Sequence, residues 1–207
     1  LEKNSELKNI ILAETPWVLN ARNESESKQR IALLFDMQRM AAERGKALKQ
    51  LREAQLGNGA WPWFSGMQPS RWVTQGIVAG FGHLEKLGAA DLRPDGQTQM
   101  MLKQAVYWLD NDLETDYKRL LKETTKEQRD KYMPGHNEVQ FLYARSFFPR
   151  WAITGGTSTA VDFYKQRLAA TWLQFGLQEQ AMIALALHRL GDDSTAQLIM
   201  RSLGERA

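Results

Sequence analysis

Apolar residues recur along this chain at the three- and four-residue spacing of a helix face, and almost nowhere with the alternation of a strand. Leu7, Ile10 and Ile11 mark the first such stripe and predict a helix from Ser5 to Glu14, which Pro16 stops or redirects. Asn23, with Glu26 three residues on, has the spacing of a capping box. From there Ile31, Leu34, Phe35, Met37, Ala41, Leu48 and Leu51 predict a long helix as far as Gln55, with Gly45 as a point where it can break. The run Gly57-Asn58-Gly59-Ala60-Trp61-Pro62-Trp63-Phe64-Ser65-Gly66 then has to be a loop, because its glycines permit positive φ and Pro62 has no amide donor. Three large aromatics in a loop need a surface to cover. Pro69-Ser70 opens the next helix, with Trp72, Val73, Ile77, Phe81 and Leu84 on its apolar face and Gly88 just past its end. Gly76 and Gly80, one turn apart, predict that another helix approaches closely there.

Beyond the turn Arg93-Pro94-Asp95-Gly96, the series Met100, Met101, Ala105, Trp108, Leu109, Leu113, Tyr117 and Leu120 predicts a second long amphipathic helix. The charged stretch from Lys122 to Tyr132 reads as a fraying helix end and an exposed connection, closed by Pro134-Gly135. Asn137 is the predicted cap of a helix through Val139, Leu142, Tyr143 and Phe147, ending at Pro149. A Gly155-Gly156-Thr157-Ser158 loop should precede a helix bearing Phe163, Leu168 and Trp172. Gly176 separates that helix from one carrying Leu177, Ala181, Ala184 and Leu187, which Gly191 closes, and Ser194 is the expected cap of the last, through Leu198, Ile199 and Leu203. The pattern amounts to about eight or nine helices with short links, hence antiparallel neighbours. The expected class is all-α, with residues 1–207 forming a single helical domain.

Composition agrees with the pattern. Leu, Met, Phe and seven Trp supply the bulk, a balance that suits helices better than strands. Lys and Arg exceed Asp and Glu by only +3, and the two signs are interspersed, as at Lys118-Arg119 beside Glu114 and Asp116, so nucleic acid is not an expected partner. With no cysteine, the chain has no disulfide, no Cys-ligated metal and no thiol nucleophile. No apolar run has the roughly 18 residues of a membrane span, and insertion of this segment into a membrane is not expected. The chain opens on Leu1-Glu2-Lys3, with neither an initiator Met nor a signal peptide, and reads as an excised piece of a larger multidomain protein.

Chemistry-bearing residues are scattered. His83, His136 and His188 form no His-x-x-x-His or His-Glu-x-x-His pattern, so no metal is expected. Asp110 with Asp112, or Asp192 with Asp193, has the residue types of a catalytic carboxylate pair, but helix-surface and capping roles suffice for them. No catalytic residue and no cofactor is assigned, and the chain is read as non-enzymatic.

The most specific segment runs from Lys46-Ala47 through Leu51, Gln55, Gly59 and Trp61. It matches most of the spacing called the QW motif, lacking only an aromatic where Gln50 stands. In physical terms the indole packs over the start of the next helix, and the glutamine amide hydrogen-bonds backbone at the helix junction. Such loops resemble those of α/α toroids, among them terpene cyclases, protein prenyltransferase β-subunits and the thioester-containing domains of complement and alpha-2-macroglobulin proteins. Longer runs resemble bacterial alpha-2-macroglobulin-like proteins: Glu14-Thr15-Pro16-Trp17, Asn23-Glu24 leading to Gln29-Arg30-Ile31-Ala32-Leu33-Leu34-Phe35-Asp36, Asn58-Gly59-Ala60-Trp61-Pro62-Trp63-Phe64, and Thr74-Gln75-Gly76-Ile77-Val78-Ala79-Gly80-Phe81-Gly82-His83-Leu84. Phe141-Leu142-Tyr143-Ala144-Arg145-Ser146 is similar as well.

That resemblance implies a complement-like α/α toroid of helical hairpins, incomplete in this chain, with apolar faces exposed that favour dimerisation. It also implies an endopeptidase inhibitor exported to the periplasm or cell envelope, which traps proteases after they cleave a bait region. Thioester-bearing members carry Cys-x-Glu-Gln. This chain has no cysteine, and Gly176-Leu177-Gln178-Glu179-Gln180 has Leu where that Cys would stand. Gln55, Gly59, Trp61, Trp63, Phe64 and Trp72 are the candidate structural or binding residues. Two other functions are compatible with the same pattern. One is an enzyme on a toroid, terpene cyclase-like or carbohydrate-active. The other is a helical scaffold that binds a protein partner.

Overall fold

The computed structural model describes residues 24–88 and 95–206. The expected helix from Ser5 to Glu14, the Pro16 stop and the Asn23 cap lie outside these residues, as does most of the turn before Asp95. The described chain is all helical: α1 (Glu24–Ala54), α2 (Arg71–Lys86), α3 (Gly96–Glu123), α4 (Lys126–Asp130), α5 (His136–Arg145), α6 (Gly155–Thr171), α7 (Leu177–Arg189) and α8 (Asp193–Gly204), with one 3-10 turn, Trp172–Gln174, after α6. Among the described residues there is no strand, and the only strand-like pairing is an isolated bridge between Pro62 and Pro69. None of the described helices is long and apolar enough to cross a membrane.

The chain divides into two compact units, residues 1–53 and 54–207. In the first, α1 runs unbroken through Gly45, so the expected break does not occur. A single glycine costs about 1 kcal/mol of helix propensity. The regular helix that continues on both sides absorbs that.

In the second unit the packing order alternates along the chain. Helix α5 packs between α2 and α7, while α3 packs beside α6. The consecutive pairs α2 with α3, α5 with α6, and α7 with α8 also pack. Accordingly α5 is buried nearly all round: Val139, Phe141, Leu142, Tyr143, Ala144 and Arg145 are all inaccessible. A helix that is solvated only at its first turn has to sit near the centre of its unit.

Several boundaries differ from the sequence expectation, each for a local reason. Residues Lys126–Asp130 fold into a short helix because Thr125 and Gln128 form a complete capping box, with Thr125 N–H donating to Gln128 Oε1 at 2.8 Å. Gly135, rather than Asn137, stands at the N-cap of α5, and Glu138 reaches back to accept its amide at 2.7 Å. The glycine pair Gly155-Gly156 belongs to the first turn of α6 and not to a preceding loop. Asp95, read as part of a turn, caps α3 by accepting from Gln97 and Thr98 amides at 3.1 Å. At α8 the cap is Asp192 in place of Ser194, whose hydroxyl instead donates to the Asp192 carboxylate at 3.0 Å.

The close approach expected at Gly76 and Gly80 is found two residues further on. Nothing among the described residues lies within 4 Å of a Cβ at either position, whereas a Cβ on Gly82 would collide with the Phe147 ring. The glycine that is needed for packing thus faces the turn that follows α5, and the regularly spaced pair faces outward.

Burial pulls the Asp192 carboxyl upward, but the Thr195 amide and the Ser194 hydroxyl outweigh it and hold the group below its ordinary value. A depressed folded-state value means stability that is present above the unfolded carboxylate value, about 3.9, and lost as pH falls through the folded value. Circular dichroism during acid titration should therefore show α8 loosening below about pH 4. Asp192→Asn keeps a capping oxygen that does not titrate, and should flatten that acid limb while preserving the helix at neutral pH.

Candidate functional site

The segment between α1 and α2 is built from the glutamine outward. Gln55 Nε2 donates to Gly59 O at 2.8 Å and to Met101 O at 2.9 Å, so one amide ties the loop to the second turn of α3. Gly59 has φ +94°, and a Cβ there would lie 2.6 Å from the Gln104 carbonyl oxygen. Only glycine permits both the left-handed backbone and the contact with α3. The loop is closed by Leu56 N–H to Ala60 O at 2.8 Å and by Ala60 N–H to Asn58 Oδ1 at 3.1 Å.

Trp61 follows directly and is 2% exposed. Its amide donates to Thr74 Oγ1 at 3.0 Å, and its carbonyl accepts from Ser70 N–H at 2.9 Å. The Thr74 hydroxyl donates in turn to Ser70 O at 2.8 Å, and Ser70 Oγ caps α2 by accepting from Val73 N–H. The backbone of the buried Trp61 is therefore clamped to the first turn of α2, and the glutamine side chain to α3.

The remaining aromatics do something else. Trp63 and Trp72 stack with centroids 5.1 Å apart and planes 13° from parallel, yet each is more than half exposed. Phe64 and Met67 beside them in the loop are exposed as well. The six candidate residues thus separate into a buried joint of Gln55, Gly59 and Trp61, and a surface patch of Trp63, Phe64 and Trp72. Gln55→Leu, which keeps volume but leaves the Gly59 and Met101 carbonyls without their donor, is expected to destabilise the second unit by about 2 kcal/mol, as read by urea denaturation.

The acidic pairs considered for catalysis are each engaged elsewhere. Asp110 is 6% exposed and accepts from Arg145 Nε at 2.9 and 3.3 Å. Burial pushes its carboxyl above the ordinary value, against the opposite pull of Arg145. Asp112 and Asp116 share the Arg71 guanidinium, with Glu138 completing the cluster at 3.8 Å. Arg71 at the start of α2 thereby links α3 to the first turn of α5. Asp192 is a cap, and Asp193 pairs with His188 at 2.6 Å.

Each histidine also has a local partner: His83 with the Tyr143 hydroxyl at 2.8 Å, His136 with Glu179 at 3.1 Å, and His188 with Asp193. Among the described residues no group of three or more His, Asp or Glu is arranged to hold a metal ion. The Gly176-Leu177-Gln178-Glu179-Gln180 run starts α7, where Glu179 accepts the Gly176 amide at 3.1 Å and Gln180 Nε2 donates to Phe175 O at 2.7 Å.

Sequence reasoning missed both arginine centres. Their carboxylate partners all lie 35 or more residues away in the chain, so no local pattern announces them. A fixed charge inside an otherwise apolar helical stripe, as Arg145 is in α5, was the one available signal.

No protein-family model matches the chain, and comparisons with curated proteins and with solved structures also give no match.

Proposed function

We propose that this chain is a non-enzymatic helical domain of an alpha-2-macroglobulin-like protease-trapping protein, with its hairpins arranged as part of an α/α toroid. The observation that carries the reading is the joint at Gln55, Gly59 and Trp61. A glutamine amide bonded to the loop and to α3, next to a glycine at positive φ and a buried indole, is the arrangement that the QW-like spacing calls for. The alternating packing supports it too, since a two-layered ring of hairpins places every second helix in the same layer, as α2, α5 and α7 follow one another here. Under this reading the Trp63–Trp72 patch faces a neighbouring part of the trap, and the domain's task is to carry a change of shape without deforming. Exported, envelope-associated location belongs to the same proposal.

The test uses the whole gene product that carries this segment, challenged with trypsin, chymotrypsin and subtilisin. Capture should leave the protease active on small peptide amides but shielded from a protein-sized inhibitor. A gene product that leaves all three proteases free, or that digests or modifies a small substrate by itself, overturns the reading.

A further inference from the structure

The buried and half-buried arginines of the 54–207 unit differ in what they hold. Arg71 and Arg145 bind carboxylates, and Arg129 and Arg167 donate to the backbone carbonyls of Thr124 and Tyr132. Arg189, in the last turn of α7, is the exception. Among the described residues it makes no ion pair, and its one hydrogen bond runs from Nη1 to Ser146 Oγ at 3.3 Å.

Stacking holds this side chain in place. Its guanidinium carbon lies 3.9 Å from the centre of the Phe147 ring and 5.7 Å from that of Tyr143. The Phe147 ring is itself seated against α2, where a Cβ on Gly82 would lie 2.3 Å from Phe147 Cγ. Neighbouring polar groups are committed elsewhere: the Tyr143 hydroxyl pairs with His83 Nε2 at 2.8 Å, and Ser146 Oγ donates to Tyr143 O at 2.7 Å.

The edge formed by Arg189 Nε and Nη2 therefore makes no hydrogen bond among the described residues. Gln75 Oε1 is the one buried side-chain atom there without a partner, so the arginine edge is open to solvent. Burial lowers the guanidinium from its ordinary value, and only Tyr143 works against that. The cation has lost part of its water and gained no counter-charge.

We propose that Arg189 anchors a binding site for a carboxylate, whose two oxygens accept parallel N–H bonds from Nε and Nη2. A guanidinium fixed by stacking has its fork already oriented for that geometry. One guanidinium matches a single negative charge. A phosphate dianion would bring a second, and Arg150, in the turn after α5, is already held by Glu85 at 2.9 Å. The competing reading is that Arg189 only stacks and meets the dipole at the end of its helix, which requires no ligand.

The inference does not rest on the protease-trap reading. Sodium acetate, N-acetyl-alanine and N-acetyl-glutamic acid methylamide are titrated into the 207-residue chain, while nuclear magnetic resonance follows the Arg189 Nε–H and Phe147 ring signals. They present a free, a terminal and a side-chain carboxylate, and the tightest of them names the source. Saturable shifts that weaken with added salt are expected, and N-acetyl-glutamine methylamide, neutral and of nearly the same shape, should give none.

Arg189→Lys keeps the charge but loses the fork, and should weaken binding about tenfold, read from the Phe147 ring with helicity unchanged. Arg119→Gln, at an exposed arginine of α3, should leave binding as it was. The assignment is overturned if no carboxylate gives a saturable shift, if the glutamine compound or methyl phosphate binds as well, or if Arg189→Lys retains full affinity.

Discussion

Replacing Arg145 by methionine is expected to cost the 54–207 unit about 3–5 kcal/mol, the range for removing one partner of a buried ion pair. The side chain is 2% exposed and does three jobs. Its Nε pairs with Asp110, one Nη donates to Phe148 O at 2.8 Å, and the other donates to Trp151 O at 2.6 Å. Methionine fills much of the volume but leaves a carboxylate and two carbonyls without donors.

The loss should depend on pH. With its value raised by burial, Asp110 can take up a proton in the folded variant, so the deficit is smallest in acid and grows as pH rises above the unfolded carboxylate value of about 3.9. Urea denaturation at several pH values measures this. Combining Arg145→Met with Asp110→Leu should recover much of the stability, because the orphaned charge is gone. If the single variant unfolds at the same urea concentration as the original protein, the pair is not the centre of this unit.

The second large effect is expected at Trp61. Trp61→Ala empties a fully enclosed site and should destabilise by about 3–5 kcal/mol, whereas Trp63→Ala and Trp72→Ala, on the exposed stack, should each cost less than about 1 kcal/mol. Gly59→Ala is expected to resemble Trp61→Ala, since the added methyl meets both a positive φ and the Gln104 carbonyl. The contrast among these four variants, measured by the same denaturation, separates the joint from the surface patch. Equal losses at Trp61 and Trp63 would mean the loop acts as a whole instead of through one buried indole.

The proposed protease capture carries a corresponding expectation. If the joint transmits a change of shape, Gln55→Leu in the full gene product should impair trapping at temperatures where the domain is still folded. Trp63→Ala should affect trapping only if the exposed stack meets a neighbour.

The helices themselves were legible in the chain. Spacing of apolar residues located α2, α3, α7 and α8 closely, because a helix that buries one stripe must repeat it every turn, and Gly88 and Gly191 ended their helices at φ +67° and +85° as punctuation predicts. The spacing of glutamine, glycine and tryptophan in the joint was also readable, although their contacts with Met101 and Gln104 of α3 were not. Caps were less so: at α5 and α8 several residues within one turn can accept or donate, and which one does depends on the path of the incoming chain. What the amino-acid order left open is everything that joins positions distant along the chain. Gly82 against Phe147, Arg145 with Asp110, and Arg71 with Asp112 and Asp116 exist only after the helices have packed. Local periodicity fixes which face of a helix is apolar. Which charge meets which is decided by the tertiary approach of those faces.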